Sequence, residues 1–227
     1  MALGAALAPT TLSCALGEGE RQAGGEAGPA AIPLPPAVHK GTLSVEEALL
    51  ARRSQRAYGE SPLGLSELSQ LLWAAQGITD EATRFRAAPS AGALYPLEVY
   101  VAAGKVTGLP AGVYKYRPTG HELARGREGD VRGDLCNAAL GQRAVAEAPA
   151  VLVFAAVYER TQGKYGERAA RYVHLEAGHA AQNVYLQAAA LGLGTVAMGA
   201  FVDEAVRGIV GLADGERPLY LMPVGKV

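Results

Sequence analysis

The chain has little of several features that would identify its class directly. Only two cysteines occur in 227 residues, Cys14 and Cys136, and they are far apart, so neither a disulfide framework nor a cysteine-based metal site is predicted. Neither sign of charge dominates, because 22 acidic residues balance 21 basic ones, and this argues against nucleic acid as a general partner. The length allows one domain or two small ones, each with a buried core.

The N-terminal region differs from the rest in composition. Residues 1–17 are small and apolar, but they are too few to span a bilayer and lack the basic start of a secretory signal. Residues 18–41 are rich in Gly, Ala, Pro and Glu, which predicts an extended tail. We therefore predict a flexible segment at residues 1–31 and one domain at residues 32–227. A cytoplasmic protein is expected, with an exported or lipid-anchored form as the alternative.

The apolar pattern along residues 42–227 predicts alternating helices and strands. A capping box at Ser44 predicts a helix that continues to about Arg53. Further helices are predicted at residues 66–76, 130–139 and 168–191, and a short one is predicted with Asp203 as its cap. Strands are predicted at residues 97–102, 112–116, 121–123, 150–157, 195–198 and 219–224. The irregular order, with one hairpin, indicates an α+β fold with a mixed sheet.

Two segments suit a flat, phosphorylated ligand. The first helix ends in Arg52, Arg53, Ser54 and Arg56, and guanidinium forks and a hydroxyl are groups that bind phosphate. A solvated basic helix end is the alternative. Residues 88–96 are small apart from two prolines and a Leu-Tyr pair, so their backbone can approach a ring closely, or simply make a tight connection.

A lysine–tyrosine pair, Lys164 and Tyr165, lies between a predicted buried strand and the longest helix. We predict a loop there and interpret the pair as proton-transfer groups, against the alternative of an ordinary solvated loop. On the long helix, His174, Glu176 and His179 lack metalloprotease spacing and are interpreted as satisfied polar groups at a helix interface. The glycines after that helix do not have the spacing of a dinucleotide-binding fingerprint.

In their order and spacing, these segments resemble the nitroreductase superfamily of flavoproteins. The resemblance rests first on residues 52–56, 71–78 and 89–96. The Lys164–Tyr165 pair, residues 176–183 and residues 223–226 are similar to the SagB-type dehydrogenases, which include the azoline oxidases of peptide natural-product pathways.

This resemblance implies an α+β fold with a mainly antiparallel sheet flanked by helices, and a homodimer with FMN at the subunit interface. It implies contacts to the phosphate and ribityl chain from Arg52, Arg53, Ser54, Arg56 and Lys226. It implies that the partner subunit contributes Pro89, Ser90, Ala91, Gly92 and Gln142. The flavin ring would lie along Met198, Gly199 and Ala200. Lys164 and Tyr165 match the pair that removes a proton during dehydrogenation.

The function expected from the resemblance is an FMN-dependent oxidoreductase that oxidises an azoline-like or related small substrate, or a modified peptide. An NAD(P)H-dependent nitro or quinone reductase is one alternative, and a non-catalytic flavin-binding protein is another. Neither a metal nor nucleic acid is expected to take part.

Overall fold

The computed structural model describes residues 31–227, and predictions on residues 1–30 lie outside that range. Its main sheet has seven strands in the order β1-β8-β7-β5-β9-β11-β10, and every neighbouring pair is antiparallel. The strands of this sheet are β1 (Ala31–Pro33), β5 (Leu97–Ala103), β7 (Gly112–Arg117), β8 (Glu122–Glu128), β9 (Ala150–Val157), β10 (Leu193–Thr195) and β11 (Glu216–Lys226).

Two short pairs of strands lie outside the main sheet. The pair β2 (Leu63–Gly64) and β6 (Val106–Thr107) is parallel, whereas β3 (Ile78–Asp80) and β4 (Phe85–Arg86) are antiparallel. The helices are α1 (Val45–Ala51), α2 (Leu65–Gln76), α3 (Arg132–Ala138), α4 (Ala144–Glu147), α5 (Glu159–Tyr165), α6 (Ala169–Ala190) and α7 (Asp203–Val210).

Helices cover both faces of the sheet, and the central strand β9 shows why. Its residues Leu152 and Phe154 pack with α2 and α6, whereas Val151 and Val153 pack with α3, α4 and α7 on the opposite face. Because β9 is buried on both faces, its sequence is a continuous hydrophobic run and does not alternate between polar and apolar residues. The predicted α+β fold, mainly antiparallel and flanked by helices, is confirmed.

The extended tail predicted to reach residue 41 ends earlier. Strand β1 pairs with β8, and Leu34 after it is buried. The Ser69 hydroxyl donates to the Pro35 carbonyl at 2.5 Å, and Val38 exchanges two hydrogen bonds with the Gln70 side chain. Contacts with distant residues thus order a segment whose proline-rich composition suggested a tail.

Other element boundaries also shift. Helix α1 begins at the predicted capping box but ends at Ala51, two residues early. Asp203 is not the N-cap of α7, because Val202 occupies that position with an extended backbone. Asp203 lies in the first turn, where its negative charge interacts favourably with the helix dipole. The strand predicted at residues 195–198 is β10 instead, and only an isolated bridge from Met198 to Leu221 continues it.

Lys164 and Tyr165 lie on a helix, α5, and not in the loop that was predicted. The segment contains no proline, and Gly166 ends the helix with a positive φ of 54°. None of the helices within residues 31–227 is long and apolar enough to cross a membrane.

Candidate functional site

The first part of the site, which we call the basic cluster, comprises Arg52, Arg53, Ser54, Tyr185 and Thr195. The Arg52 guanidinium lies over the Tyr185 ring, 5.3 Å from its centroid, and the Ser54 and Tyr185 hydroxyls are 3.1 Å apart. A parallel bridge joins Ser54 to Thr195, where the amide of the next residue donates to the Thr195 carbonyl at 2.9 Å. The segment that follows α1 is therefore held against the last residue of β10.

The residues of the basic cluster other than Ser54 line a cavity of about 130 Å³. Thr195 lines it, and the Thr195 hydroxyl is buried without a hydrogen-bond partner in the described structure. Neither Arg52 nor Arg53 forms an ion pair with a described carboxylate. Guanidinium groups without carboxylates and a spare hydroxyl are a donor set suited to a phosphate.

Not every predicted phosphate ligand points into this cavity. Arg53 lines it, yet one of its nitrogens also donates to the carbonyls of Leu50 and Arg52 and so caps α1. Arg56 is exposed and is not part of the cavity wall. The Lys226 ammonium forms an ion pair with Glu67. A phosphate would therefore compete with Glu67 for Lys226.

A second group, the shelf, consists of Gln142 and of Met198, Gly199 and Ala200, which follow Thr195 in the chain after two residues. The Gln142 amide donates to the Ala200 carbonyl at 2.9 Å, so these two predicted residues meet within one chain. Met198 is buried, and both of its backbone groups bond to Leu221, so it anchors the shelf. Gly199 and Ala200 supply its exposed backbone.

A third group, the glycine loop, comprises residues 89–95 and is strained. Gly92, Ala93 and Tyr95 have positive φ angles of 64°, 54° and 47°. For the two residues other than glycine, this conformation costs about 1–2 kcal/mol each. Ser90 holds the loop, because its hydroxyl accepts from the Tyr95 amide at 2.9 Å and its carbonyl accepts from Ala93.

Helix α5 packs its lysine and tyrosine against this loop. A Cβ added to Gly92 would lie 2.9 Å from Lys164 Nζ and 3.0 Å from the Tyr165 hydroxyl oxygen, so a larger residue there would require these side chains to shift. Lys164 is exposed, while Tyr165 is half-buried and makes an edge contact with the Tyr172 ring at 4.8 Å. The end groups of both side chains thus lie beside the backbone of the glycine loop.

Glu176 lies close to the same loop, and its interpretation as a satisfied polar group holds only in part. The side chain is 2% exposed, and Oε1 has no hydrogen-bond partner. Burial raises the pKa of Glu176 to about 7, while the Ser90 hydroxyl, the Arg86 guanidinium and the Ala91 amide act in the opposite direction. A signal was present in the sequence: an acidic residue on the apolar face of a long helix, two turns before Asn183.

The histidines on α6 behave differently. His174 Nε2 lies 2.6 Å from the Tyr158 hydroxyl, as expected for a satisfied group, and His179 is exposed. Within residues 31–227, no group of three or more histidine, cysteine or acidic side chains is placed to hold a metal ion.

One chain does not bring all the predicted residues together. On α6, Glu176 lies close to the glycine loop, and Tyr185, nine residues later, belongs to the basic cluster. These two residues are about 13 Å apart along the helix axis. Among the described residues, the basic cluster and the glycine loop thus contact different parts of α6.

The chain is similar in sequence and in structure to several known proteins. A model of the nitroreductase family matches residues 49–226. A Methanocaldococcus jannaschii protein described as a nitroreductase is 53% identical over 184 residues, which cover 81% of this chain and 91% of that protein. A crystal structure of a nitroreductase from Ralstonia eutropha is 33% identical, with a TM-score of 0.76, and the match covers 88% of this chain and 93% of that one.

Two more distant structures share the fold. A chain of the Escherichia coli microcin synthetase complex is 24% identical, with a TM-score of 0.66, over 85% of this chain and 78% of that one. The NADPH:FMN oxidoreductase from Vibrio harveyi is 21% identical, with a TM-score of 0.57, over 80% of this chain and 68% of that one.

Proposed function

The chain belongs to the nitroreductase family, and from that premise we propose that it is an FMN-dependent oxidoreductase of the SagB type. Its substrate on this proposal is an azoline-like ring or a related small molecule, which loses two hydrogens. The observation that carries the dehydrogenase assignment is the packing of Lys164 and Tyr165 against Gly92, because it puts proton-transfer groups beside the loop suited to a flavin.

The residues present fit FMN. The basic cluster offers guanidinium groups without described carboxylate partners and the orphaned Thr195 hydroxyl for the phosphate. Gly199, Ala200 and Gly92 offer backbone without bulky side chains for the flavin ring. When bound, FMN would supply the two-electron acceptor that the chain's own side chains lack.

Lys164 and Tyr165 would manage the proton that leaves the substrate ring. In this role Lys164 Nζ accepts the proton, and the Tyr165 hydroxyl, on the same side of Gly92, orients the reacting atom by a hydrogen bond. The buried Glu176 would hold the loop that presents Gly92, since it lies close to the Ser90 hydroxyl and the Ala91 amide.

A homodimer would complete the site. The glycine loop and the basic cluster lie about 13 Å apart along α6 within one chain, and a second copy would place the loop of one subunit against the cluster of the other. The outer face of α6 supports this arrangement: Leu175 is 54% exposed, and Gly178, three residues on, would leave room for a closely packed helix. Light scattering should find a dimer in every flavin-loaded preparation.

The relatives favour a second candidate function. The proteins from M. jannaschii and R. eutropha are described as nitroreductases, and the V. harveyi neighbour is an NADPH:FMN oxidoreductase. On this alternative the chain reduces a nitroaromatic or quinone with hydride from NAD(P)H, and Lys164 is not needed as a base. A flavin-binding protein without turnover is the third candidate, for which no substrate would change the flavin spectrum.

Flavin titration tests the cofactor assignment. Arg52→Ala should weaken FMN binding about tenfold or more, because charged hydrogen bonds contribute about 1.5–3 kcal/mol each. Arg56→Ala should weaken it less, because Arg56 is outside the cavity wall. Arg127→Ala, which removes the same charge from exposed β8, is the matched control. Equal affinity in the Arg52 and Arg127 variants would contradict the phosphate site.

A further inference from the structure

A larger polar cavity, of about 880 Å³, opens beside the glycine loop. Its wall includes Tyr95 of that loop, the turn between β7 and β8, and Arg160 of α5. Four cations line it: Arg86, Lys115, Arg117 and Arg160. The size is that of a cavity for a small molecule rather than for an ion alone.

Three of these four cations already have carboxylate partners. Lys115 lies 2.6 Å from Glu216 and 3.2 Å from Glu98, and Arg160 pairs with Glu98 as well. Arg117 lies 3.6 Å from Glu122. Arg86 forms no ion pair with any carboxylate in residues 31–227. The three carboxylates that form ion pairs with these cations therefore leave one positive charge in excess of the pairs, that of Arg86.

The Arg86 side chain is held in place by neutral groups. One nitrogen donates to Gln76 Oε1 at 2.8 Å, and the guanidinium carbon lies 4.4 Å from the Tyr95 ring centroid. Burial lowers the pKa of Arg86, while the charges of Glu98 and Glu176, neither of which forms an ion pair with it, act in the opposite direction. Its other nitrogens make no hydrogen bond with the protein, and they are not among the buried unpaired atoms, so they remain open to a ligand.

We propose that this cavity binds the carboxylate of a small, singly charged substrate through the Arg86 guanidinium. A carboxylate matches the planar fork of arginine, and one negative charge matches the excess. The cavity adjoins the proposed reaction centre on two sides. Leu94 and Tyr95 in its wall belong to the same loop as Gly92. Arg160 is one helical turn before Lys164 on α5. The substrate role rests on the proposed function, whereas anion binding at Arg86 does not.

Calorimetric titration with benzoate and with its uncharged analogue benzamide tests the carboxylate site. The FMN-loaded wild-type protein should prefer benzoate, and Arg86→Gln should reduce benzoate affinity about tenfold to a hundredfold without changing that for benzamide. Arg117→Gln is the matched control, because it removes a cation of the same cavity that already has Glu122 as its partner. A benzoate affinity lowered equally in both variants, or in neither, overturns the proposal.

The same titration on flavin-free protein separates this inference from the proposed function. Benzoate preference that depends on Arg86 in protein unable to bind FMN supports the anion site and contradicts the flavin assignment. FMN binding without any preference for benzoate supports the flavin assignment and contradicts the anion site. Arg86→Lys, which keeps the charge, should retain part of the preference, and circular dichroism of each variant verifies that it is folded.

Discussion

The basic cluster and the glycine loop obtain their geometry in different ways. The cluster joins consecutive residues after α1 to Tyr185 and Thr195, and none of its residues has a positive φ. The glycine loop has three positive φ angles within four residues and depends on Ser90, Glu176 and Arg160, which donates to the Tyr95 carbonyl at 3.0 Å. The basic cluster therefore has an unstrained backbone, whereas the glycine loop has a strained one that other side chains hold in place.

This difference predicts which property of the protein a mutation in each region should change. Residues of the basic cluster can change without straining the backbone, so their substitution should affect ligand affinity more than folding. In the glycine loop, the strained backbone lies beside a buried carboxyl group and the proposed proton-transfer groups. Backbone strain of this kind persists only where surrounding residues hold it in place. Four predictions test this contrast.

The largest effect is expected at Lys164. Lys164→Ala should slow reduction of bound flavin by an azoline substrate about 10²–10⁴-fold, the usual contribution of a general acid–base group, with FMN affinity unchanged. Stopped-flow absorbance measures the rate. Reduction by NAD(P)H in the same variant is the control, because hydride transfer from a nicotinamide requires no base. Unchanged azoline rates would favour the nitro or quinone reductase.

Glu176 should make stability depend on pH. Its pKa is about 7 in the folded protein against a usual 4.5, so between these values the folded state holds a proton that the unfolded state has lost. Stability therefore falls as pH rises from 4.5 to 7, by at most on the order of 3 kcal/mol. Glu176→Gln should match the wild type near pH 5 and exceed it at pH 8 in urea unfolding.

An exposed carboxylate provides the control for that measurement. Glu167→Gln, on the surface before α6, should leave the pH profile of the wild type unchanged. Parallel profiles for the Glu176 variant and the wild type would show that Glu176 is ionised in the folded protein at neutral pH.

Gly92 should show a smaller cost. Gly92→Ala places a side chain at a φ of 64° and against Lys164 and Tyr165, so we expect a loss of about 1–2 kcal/mol. Gly163→Ala, in the middle of α5 with open space around it, should instead gain up to about 1 kcal/mol. Thermal unfolding of both variants compares them, and an equal gain at Gly92 would mean that the loop is not strained.

The smallest effect on folding is expected at Thr195. Thr195→Val replaces a buried hydroxyl that has no partner with a methyl group, so stability should be unchanged or slightly higher. FMN affinity should fall about two- to tenfold, the contribution of one neutral hydrogen bond. A large loss of stability without loss of affinity would remove Thr195 from the ligand site and weaken the contrast between the two regions.

Most of the helices could be predicted from sequence because their signals are local. The capping box at Ser44 and the apolar face of α2 each act within a few residues. Helix α5 was missed because it is only seven residues long and contains Gly163, so its pattern resembles a loop. Strand β1 was missed because its order comes from pairing with β8, far along the chain.

The sequence by itself determined the α+β class, the helices with strong local signals, and the residues that carry the family resemblance. Only the tertiary structure decided which of them meet. It set Lys164 and Tyr165 against Gly92, left Thr195 and Glu176 with unpaired buried atoms, and directed Lys226 to Glu67. The physical reason is that helix caps and periodicity act over a few residues. Burial, desolvation and ion pairing instead depend on neighbours that are brought together only by folding.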